Sequence, residues 1–160
     1  MKDTPMNKLD LGAIGELTGT RYPPPHDEPV KARRWKPLGQ AAGLTQFGVN
    51  LLTLAPGVWS SQRHWHSHED EFAYVLSGEI TLVMDEGEEV LRAGDCVGWK
   101  AGVENGHVLK NLSNADAVIL IVGGRSDEDH GAYSDIDMKF LPGRYSGGGG
   151  FARKDGGEIK

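Results

Sequence analysis

Three histidines, His64, His66 and His68, alternate with other residues, and an acidic run ending at Glu71 follows them. In a β-strand, side chains two residues apart point to the same face and lie about 7 Å apart. His64 and His66 can therefore share one metal ion. Glu71 has the opposite parity, so it joins them only if the chain turns within the polar residues 67–70. Two imidazoles and a carboxylate suit a divalent first-row transition metal with open positions for water or substrate.

A second stretch, residues 94–111, supplies another candidate ligand. Gly94-Asp95 predicts a turn before a short strand, and Ala101-Gly102 predicts a second turn before His107. If a strand follows, His107 and Asn111 lie on one face of it. His107 is therefore the candidate fourth ligand, supplied from a distant strand.

The two stretches together resemble the paired motifs of the cupin superfamily. The first motif is a glycine, an HxH pair, a glutamate and a glycine; the second is Gly-Asp, a Pro-x-Gly turn, a histidine and an asparagine. The matching residues are Gly57, His64, His66, Glu71, Gly78, Gly94, Asp95, Gly102, His107 and Asn111. Lys100 stands where proline is usual, and two extra residues separate Gly102 from His107. The resemblance covers residues 47–123.

The resemblance implies one bound divalent transition metal, which is Fe, Mn, Zn, Ni, Co or Cu. Its ligands would be His64, His66, Glu71 and His107. Asn111 is then a residue that packs beside the site or supports one of its ligands. From residue types alone, Glu69 or Asp70 could replace Glu71 if the turn lay elsewhere, but the spacing from Glu71 to Gly78 fits the family pattern. His68 is interpreted as a loop residue.

The rest of the chain predicts an all-β fold. Glycine accounts for 23 of 160 residues, about twice its usual share of roughly 7%, and it separates short apolar runs. Strands are predicted over residues 44–54, 71–76, 80–84, 89–92 and 117–122. The turns between them recur at the spacing typical of a sandwich or barrel. The resemblance makes this fold a double-stranded β-helix, a jelly-roll barrel.

The chain is predicted to have three parts. These are an N-terminal arm with an edge strand (residues 1–43), the cupin-like barrel (residues 44–125) and a partly flexible C-terminal arm (residues 126–160). The prolines of residues 20–29 predict an extended segment without a helix. The basic run of residues 31–36 predicts a charged edge strand and not an anion site. In the C-terminal arm, a loop is predicted up to Ser134 and an edge strand over residues 136–141.

Composition excludes several classes of function. The formal net charge of −6 argues against a general nucleic-acid or membrane binder, because both partners are anionic. Cys96 is the single cysteine and cannot form an intrachain disulfide, which suits a reducing compartment. No apolar run approaches the roughly 18 residues of a membrane helix, and the N-terminus lacks the apolar core of a signal peptide. We therefore predict a cytoplasmic protein, and a homodimer because small barrels leave exposed sheet edges.

The resemblance is closest to single-domain bacterial cupins of the mannose-6-phosphate-isomerase-like, or sugar-phosphate isomerase, type. It implies metal-dependent isomerisation of a small hydroxy-carbonyl compound such as a sugar phosphate. The alternatives are a cupin dioxygenase and a non-catalytic cupin that binds or senses a small ligand. Phosphate recognition needs a basic group near the pocket mouth, and Lys100 and Arg125 are the candidates by position. No residue stands out as a general base, for which Tyr74 and Glu104 are candidates.

Overall fold

The computed structural model describes residues 8–159. Across these residues the chain forms twelve β-strands and one short helix, α1 (Leu38–Ala41). The strands are β1 (Leu17–Thr18), β2 (Arg34–Pro37), β3 (Phe47–Leu54), β4 (Glu71–Ser77), β5 (Glu79–Met84), β6 (Gly87–Arg92), β7 (Cys96–Trp99), β8 (Val108–Lys110), β9 (Ala117–Gly124), β10 (Gly131–Ala132), β11 (Lys139–Phe140) and β12 (Phe151–Ala152).

Two antiparallel sheets enclose the main core. The larger has the strand order β1-β2-β3-β9-β4-β7, and the smaller has the order β6-β5-β8. Their facing side chains form one apolar cluster, which includes Leu52, Leu54, Val75, Ile80, Leu82, Leu91, Leu109 and Ile119. Full burial of each such side chain contributes about 1.5–3 kcal/mol. The all-β fold predicted from the sequence is confirmed.

Strand β4 shows how the sequence positions the future site. Ala73 and Val75 are buried, while Phe72 and Tyr74, which alternate with them, are exposed on the outer face. Glu71 shares the inner face because side chains alternate along a strand. Gly78, whose φ is 78°, directly follows the last residue of the strand. A Cβ there would lie 2.5 Å from the carbonyl oxygen of Asp116, so the tight turn into β5 requires glycine.

The proline-rich segment differs from its prediction in one respect. It contains no helix, as expected, but it forms consecutive turns and is not extended. The amide of His26 donates to the carbonyl of Pro23, and the amide of Val30 donates to that of Asp27. Proline removes an amide donor but fixes the backbone angle that the first central position of a turn requires. The proline content of this segment is therefore as compatible with turns as with an extended arm.

The basic run is not the edge strand that the sequence predicts. Strand β2 begins at Arg34, and β1 covers part of its free edge with the pairs Leu17–Trp35 and Thr18–Arg34. Arg33 lies just before β2 and faces the interior, where it donates to two backbone carbonyls. Because side chains alternate along an extended chain, Arg33 and Arg34 point to opposite faces of the sheet.

The C-terminal residues form a third sheet with the order β10-β11-β12. The predicted loop up to Ser134 contains β10, and the predicted edge strand over residues 136–141 is reduced to β11, which is the central strand of this sheet. A second apolar cluster, with Tyr133, Met138 and Phe140 buried, packs against Tyr22 from the N-terminal part. The three-part division of the chain stays a prediction, and its residues 1–7 and 160 lie outside the described residues.

Within the described range, residues 8–159, no helix has the length and apolar character that crossing a membrane demands.

Candidate metal centre

The four predicted ligands come from three separate segments. His64 and His66 lie in the connection between β3 and β4, Glu71 is the first residue of β4, and His107 directly precedes β8. An isolated bridge joins His64 to His107. In it the amide of His64 donates to the carbonyl of His107 at 3.2 Å, and the amide of His107 donates to that of His64 at 2.9 Å. This bridge holds two histidines from distant parts of the chain side by side.

The side chains of all four residues converge. The Nε2 atoms of His64 and His66 are 3.0 Å apart, and Nε2 of His66 is 3.2 Å from Oε2 of Glu71. The donor atoms of these three residues all lie within 4.8 Å of one another. His107 is not part of that set, but its Nε2 is 3.1 Å from the same Glu71 oxygen. The structure thus brings together the residues that the sequence selected.

Hydrogen bonds on the far side of two rings fix which nitrogen atoms face inward as acceptors. Nδ1 of His64 is 2.8 Å from the carbonyl oxygen of Gln62, which can only accept, so this nitrogen carries the proton. Nδ1 of His66 is 2.7 Å from Oδ2 of Asp129 and donates to that carboxylate. In the neutral rings, both Nε2 lone pairs therefore point at each other beside the Glu71 carboxylate. A divalent cation fits this donor set because it would satisfy all three groups.

Burial and neighbouring charges shift the pKa values of His64, His66 and Glu71 in different directions. Burial, together with the neighbouring His66 and His107, lowers the pKa of His64 to about 3. Burial also acts to lower the pKa of His66, but hydrogen bonds to Asp129 and Glu71 outweigh it and raise this pKa to about 9. Burial acts to raise the pKa of Glu71, yet hydrogen bonds from His107 and His66 hold it well below its usual value. These shifts favour a protonated His66 beside an ionised Glu71 at neutral pH.

His107 is fixed by stacking and not by a hydrogen bond on its far side. Its ring lies parallel to that of Trp99, with centroids 3.9 Å apart and an interplanar angle of 9°. Only 4% of the residue is exposed. Its Nδ1 atom is buried and has no hydrogen-bond partner among residues 8–159. The aromatic surface of β7 therefore orients this imidazole.

The residues that the sequence left as alternatives have other partners or are exposed. His68 is exposed, as expected of a loop residue. Asp70 is exposed and accepts a hydrogen bond from the amide of Ala101. Glu69 is 5% exposed, but its carboxylate binds Arg144 and the hydroxyl of Tyr145. Glu71 is thus the acidic residue whose carboxylate faces the imidazoles of the centre.

A second group of possible donors, namely His66, Glu69 and Asp129, also lies within 4.8 Å. We do not interpret it as a metal site. The guanidinium of Arg144 contacts Glu69 and lies 3.5 Å from Asp129, and Asp129 also accepts a hydrogen bond from His66, so both carboxylates already have partners. This group is instead the support behind His66.

The centre opens into a cavity of about 560 Å³. Its lining includes His64, His66, Glu71 and His107, several aromatic rings, and the four arginines Arg21, Arg33, Arg125 and Arg144. Of the basic candidates from the sequence, Arg125 lines this cavity. Lys100 lines a second, smaller cavity of about 120 Å³, which His66 and His107 also line. Tyr74 and Glu104 line neither cavity.

Comparison with known proteins identifies the family. The profile described as cupin domain matches residues 50–123. A crystal structure described as a sugar phosphate isomerase from a cupin superfamily, from Silicibacter pomeroyi, is 42% identical in sequence. The match covers 96% of each chain with a TM-score of 0.91. The chain belongs to the cupin superfamily.

Two further solved structures are similar to this chain at lower sequence identity. A structure from Acidithiobacillus ferrooxidans, provisionally described as a sugar phosphate isomerase, is 29% identical over 81% of each chain with a TM-score of 0.73. The polyketide cyclase RemF from Streptomyces resistomycificus is 20% identical over 74% of this chain and 79% of its own, with a TM-score of 0.61. RemF is similar in fold alone. No curated protein sequence matches the chain.

Sequence reasoning missed the residues that support the centre of this cupin from the C-terminal segment. Asp129 is 1% exposed and contacts His66, and Arg144 binds Glu69. Asp129 lies in the polar run of residues 125–134, whose composition is that of an exposed loop. This run carries several acidic residues after the last long strand, and nothing in the sequence distinguishes Asp129 from the others.

Proposed function

We propose that this cupin is a metal-dependent isomerase of a small anionic hydroxy-carbonyl compound, of which a sugar phosphate is the type. The observation that carries the proposal is the position of the His64, His66, Glu71 and His107 cluster inside a cavity that also contains guanidinium groups. The cavity volume of about 560 Å³ lies in the usual range for small-molecule pockets, roughly 300–1,000 Å³. The similar proteins described as sugar phosphate isomerases support the same class of substrate.

The charges of the cavity favour an anionic ligand. Glu69 neutralises Arg144, whereas Arg21, Arg33 and Arg125 form no ion pair among the described residues. Arg33 instead donates to the carbonyl oxygens of Gly19 and Ser60, at 2.9 and 2.6 Å. The lining holds four arginines against the three carboxylates Glu69, Asp70 and Glu71, an excess of one positive charge that favours anionic substrates.

The chemistry divides between the centre and the cavity wall. A bound divalent cation would supply Lewis acidity at a carbonyl or hydroxyl oxygen of the substrate. The outer hydrogen bonds of His64 and His66 keep their Nε2 atoms available as donors to that cation. On the wall, burial raises the pKa of Tyr133, and it raises the pKa of Tyr145 to about 12. Both phenols therefore keep their protons at neutral pH and serve as hydrogen-bond donors, not as bases.

The test is isomerisation by protein reconstituted separately with each of the six candidate metals. Aldose and ketose phosphates are incubated in deuterium oxide, and proton NMR follows both product formation and exchange of the hydrogen beside the carbonyl. We expect exchange and product with at least one metal, and loss of both in Glu71→Gln. His68→Gln is the matched control and should retain activity, because His68 is outside the cavity lining.

The other functions of this family are outcomes of the same experiment. Oxygen consumption without isomerisation would favour a dioxygenase. Tight binding of a sugar phosphate without exchange or oxygen consumption would favour a non-catalytic binding or sensor cupin. Either result would contradict the proposed isomerase. The cytoplasmic location remains part of this proposal and is checked by cell fractionation.

A further inference from the structure

Two glycines beside Glu71 leave space in the cavity. Gly48 of β3 pairs with Gly123 of β9, and Gly123 pairs in turn with Glu71 of β4. Directly paired residues of an antiparallel sheet point to the same face, so the three residues form one row. A Cβ on Gly123 would lie 3.6 Å from Cγ of Glu71, which places the Glu71 side chain over this glycine. The row has no side chain on its β3 and β9 positions.

Arg125 lies just beyond this row, directly after the end of β9. It lies two residues beyond Gly123, hence on the same face and about 7 Å further along the strand direction. Its amide still donates to the carbonyl of Gln46 at 3.1 Å, which continues the pairing of β9 with the chain before β3. A Cβ on Gly48 would lie 3.0 Å from Nη2 and 3.3 Å from Nε of Arg125. The guanidinium thus lies across Gly48.

Arg125 is an exposed residue of the cavity wall whose guanidinium has an aromatic contact but no carboxylate partner among the described residues. It lies 5.3 Å from the ring centroid of Tyr145, a cation–π contact that restricts it. Among residues 8–159, no carboxylate pairs with it and no side-chain hydrogen bond uses its donors. Arg144 is bound to Glu69, and Arg33 donates to two carbonyls. Arg125 is the cavity arginine that is both oriented by packing and free to donate.

We propose that Arg125 binds the phosphate group of the substrate and sets its distance from the metal-binding residues. A guanidinium presents paired donors that match two phosphate oxygens. The guanidinium lies over Gly48, which is two strands away from Glu71 in the same row, or about 10 Å at the usual strand spacing, so a short carbon chain would join the phosphate to the hydroxy-carbonyl group. The inference rests on the proposed function for the identity of the anion. Arg21 also lines the cavity, but no comparable contact orients it.

Binding of inorganic phosphate tests the anchor without turnover. Chelator-treated protein is titrated with phosphate and followed by isothermal calorimetry, so that a bound metal contributes nothing. We expect Arg125→Met to weaken binding by about 10- to 100-fold, the range for a charged hydrogen bond worth roughly 1.5–3 kcal/mol. Arg125→Lys should give a smaller loss because it keeps the charge but not the paired donors.

Two kinds of variant separate the anchor from general electrostatics. Gly48→Val keeps every charge but occupies the space under the guanidinium, and it should weaken phosphate binding while metal content is unchanged. Arg21→Met and Arg92→Met each remove one positive charge, inside and outside the cavity respectively, and should change the affinity by less than threefold. Thermal melting verifies that each variant is folded.

The outcomes for the anchor and for the isomerase are distinguishable. Phosphate binding that depends on Arg125, without turnover of any sugar phosphate, would support the anchor and contradict the proposed isomerase. Turnover that is unaffected by Arg125→Met would contradict the anchor alone. An undetectable affinity of the wild-type protein for phosphate, or an equal loss in Arg21→Met, would also overturn the anchor.

Discussion

Nδ1 of His66 lies 2.7 Å from Oδ2 of Asp129, a residue 63 positions further along the chain. Asp129 is 1% exposed, and it also accepts a hydrogen bond from the amide of His68 at 2.9 Å. The C-terminal segment thus reaches back to the loop that presents the histidines. A carboxylate in this position orients an imidazole and raises its basicity as a ligand.

Asp129→Asn tests this relationship. The amide cannot accept the proton of Nδ1 as strongly, so we expect metal affinity to fall about 10- to 100-fold, the usual effect of losing such a partner. Competition with a chromophoric chelator measures the affinity, and the free energy of unfolding in urea shows whether the fold is retained. Glu128→Gln is the control, because Glu128 is next in sequence but its side chain is 84% exposed. Equal affinities for all three proteins would contradict the role of Asp129.

Metal content tests the ligand set itself. We expect purified wild-type protein to contain close to one equivalent of a transition metal by inductively coupled plasma mass spectrometry. His64→Ala and Glu71→Gln should lower this content at least tenfold, because each removes a donor from the cluster. His68→Ala should retain it, since His68 is exposed. Metal content that is the same in every variant would refute the proposed ligands.

Stability at low pH tests the ion pairs of Arg63. Its guanidinium binds Asp135 at 2.8 Å and also binds Asp85. The hydrogen bond from Arg63 lowers the pKa of Asp135 from its ordinary value of 3.8. Because the pKa is lower in the folded state, the ionised carboxylate stabilises the fold at pH values above the pKa of the unfolded state. This stabilisation is lost as the pH falls through the pKa of the folded state. At neutral pH, we therefore expect Asp135→Asn to lower the free energy of unfolding by about 0.2–1 kcal/mol, as for exposed pairs.

The measurement is urea unfolding of both proteins at a series of pH values. The difference between them should stay constant from pH 7 to about pH 4.5 and shrink below about pH 3.8. Asp10→Asn is the control, because it leaves the Arg63 pairs intact. Asp137→Asn would not serve, because Asp137 forms its own ion pair with Arg153. A difference that grows as the pH falls would contradict the assignment.

Asn111 tests the prediction of a packing role. The residue is fully buried, and its amide donates to the carbonyls of Leu54 and Ala115 at 2.7 and 2.8 Å. In Asn111→Ala these carbonyls lose their donor, which costs about 1–3 kcal/mol of stability. Urea unfolding measures the loss, and metal content should not change. The exposed Asn114→Ala is the control; a comparable loss there would argue against a specific role for Asn111.

The homodimer stays a prediction from general features of small barrels. Light scattering of the wild-type protein should give twice the mass of one chain over the micromolar range. A single-chain mass at every concentration would contradict the predicted dimer.

The sequence predicted the fold and the inward-facing donors because both depend on local patterns. Alternating side chains and glycine turns specify each strand and its faces. The spacing of His64, His66, Glu71 and His107, together with the family resemblance, selected four residues that the structure brings together. Arg125 was likewise one of two basic candidates, and it lies in the cavity.

The tertiary structure alone decided what surrounds those residues. Asp129 and Arg144 lie in polar segments without periodicity, and no local pattern distinguishes a buried carboxylate from an exposed one. Contacts of Asp129 with His66 and of Arg144 with Glu69 join the C-terminal segment to the β3–β4 connection. Stacking of Trp99 on His107 likewise depends on contact between residues from different sheets. Short-range backbone geometry can be inferred from residue order, but the pairing of distant side chains is fixed only when the whole chain packs.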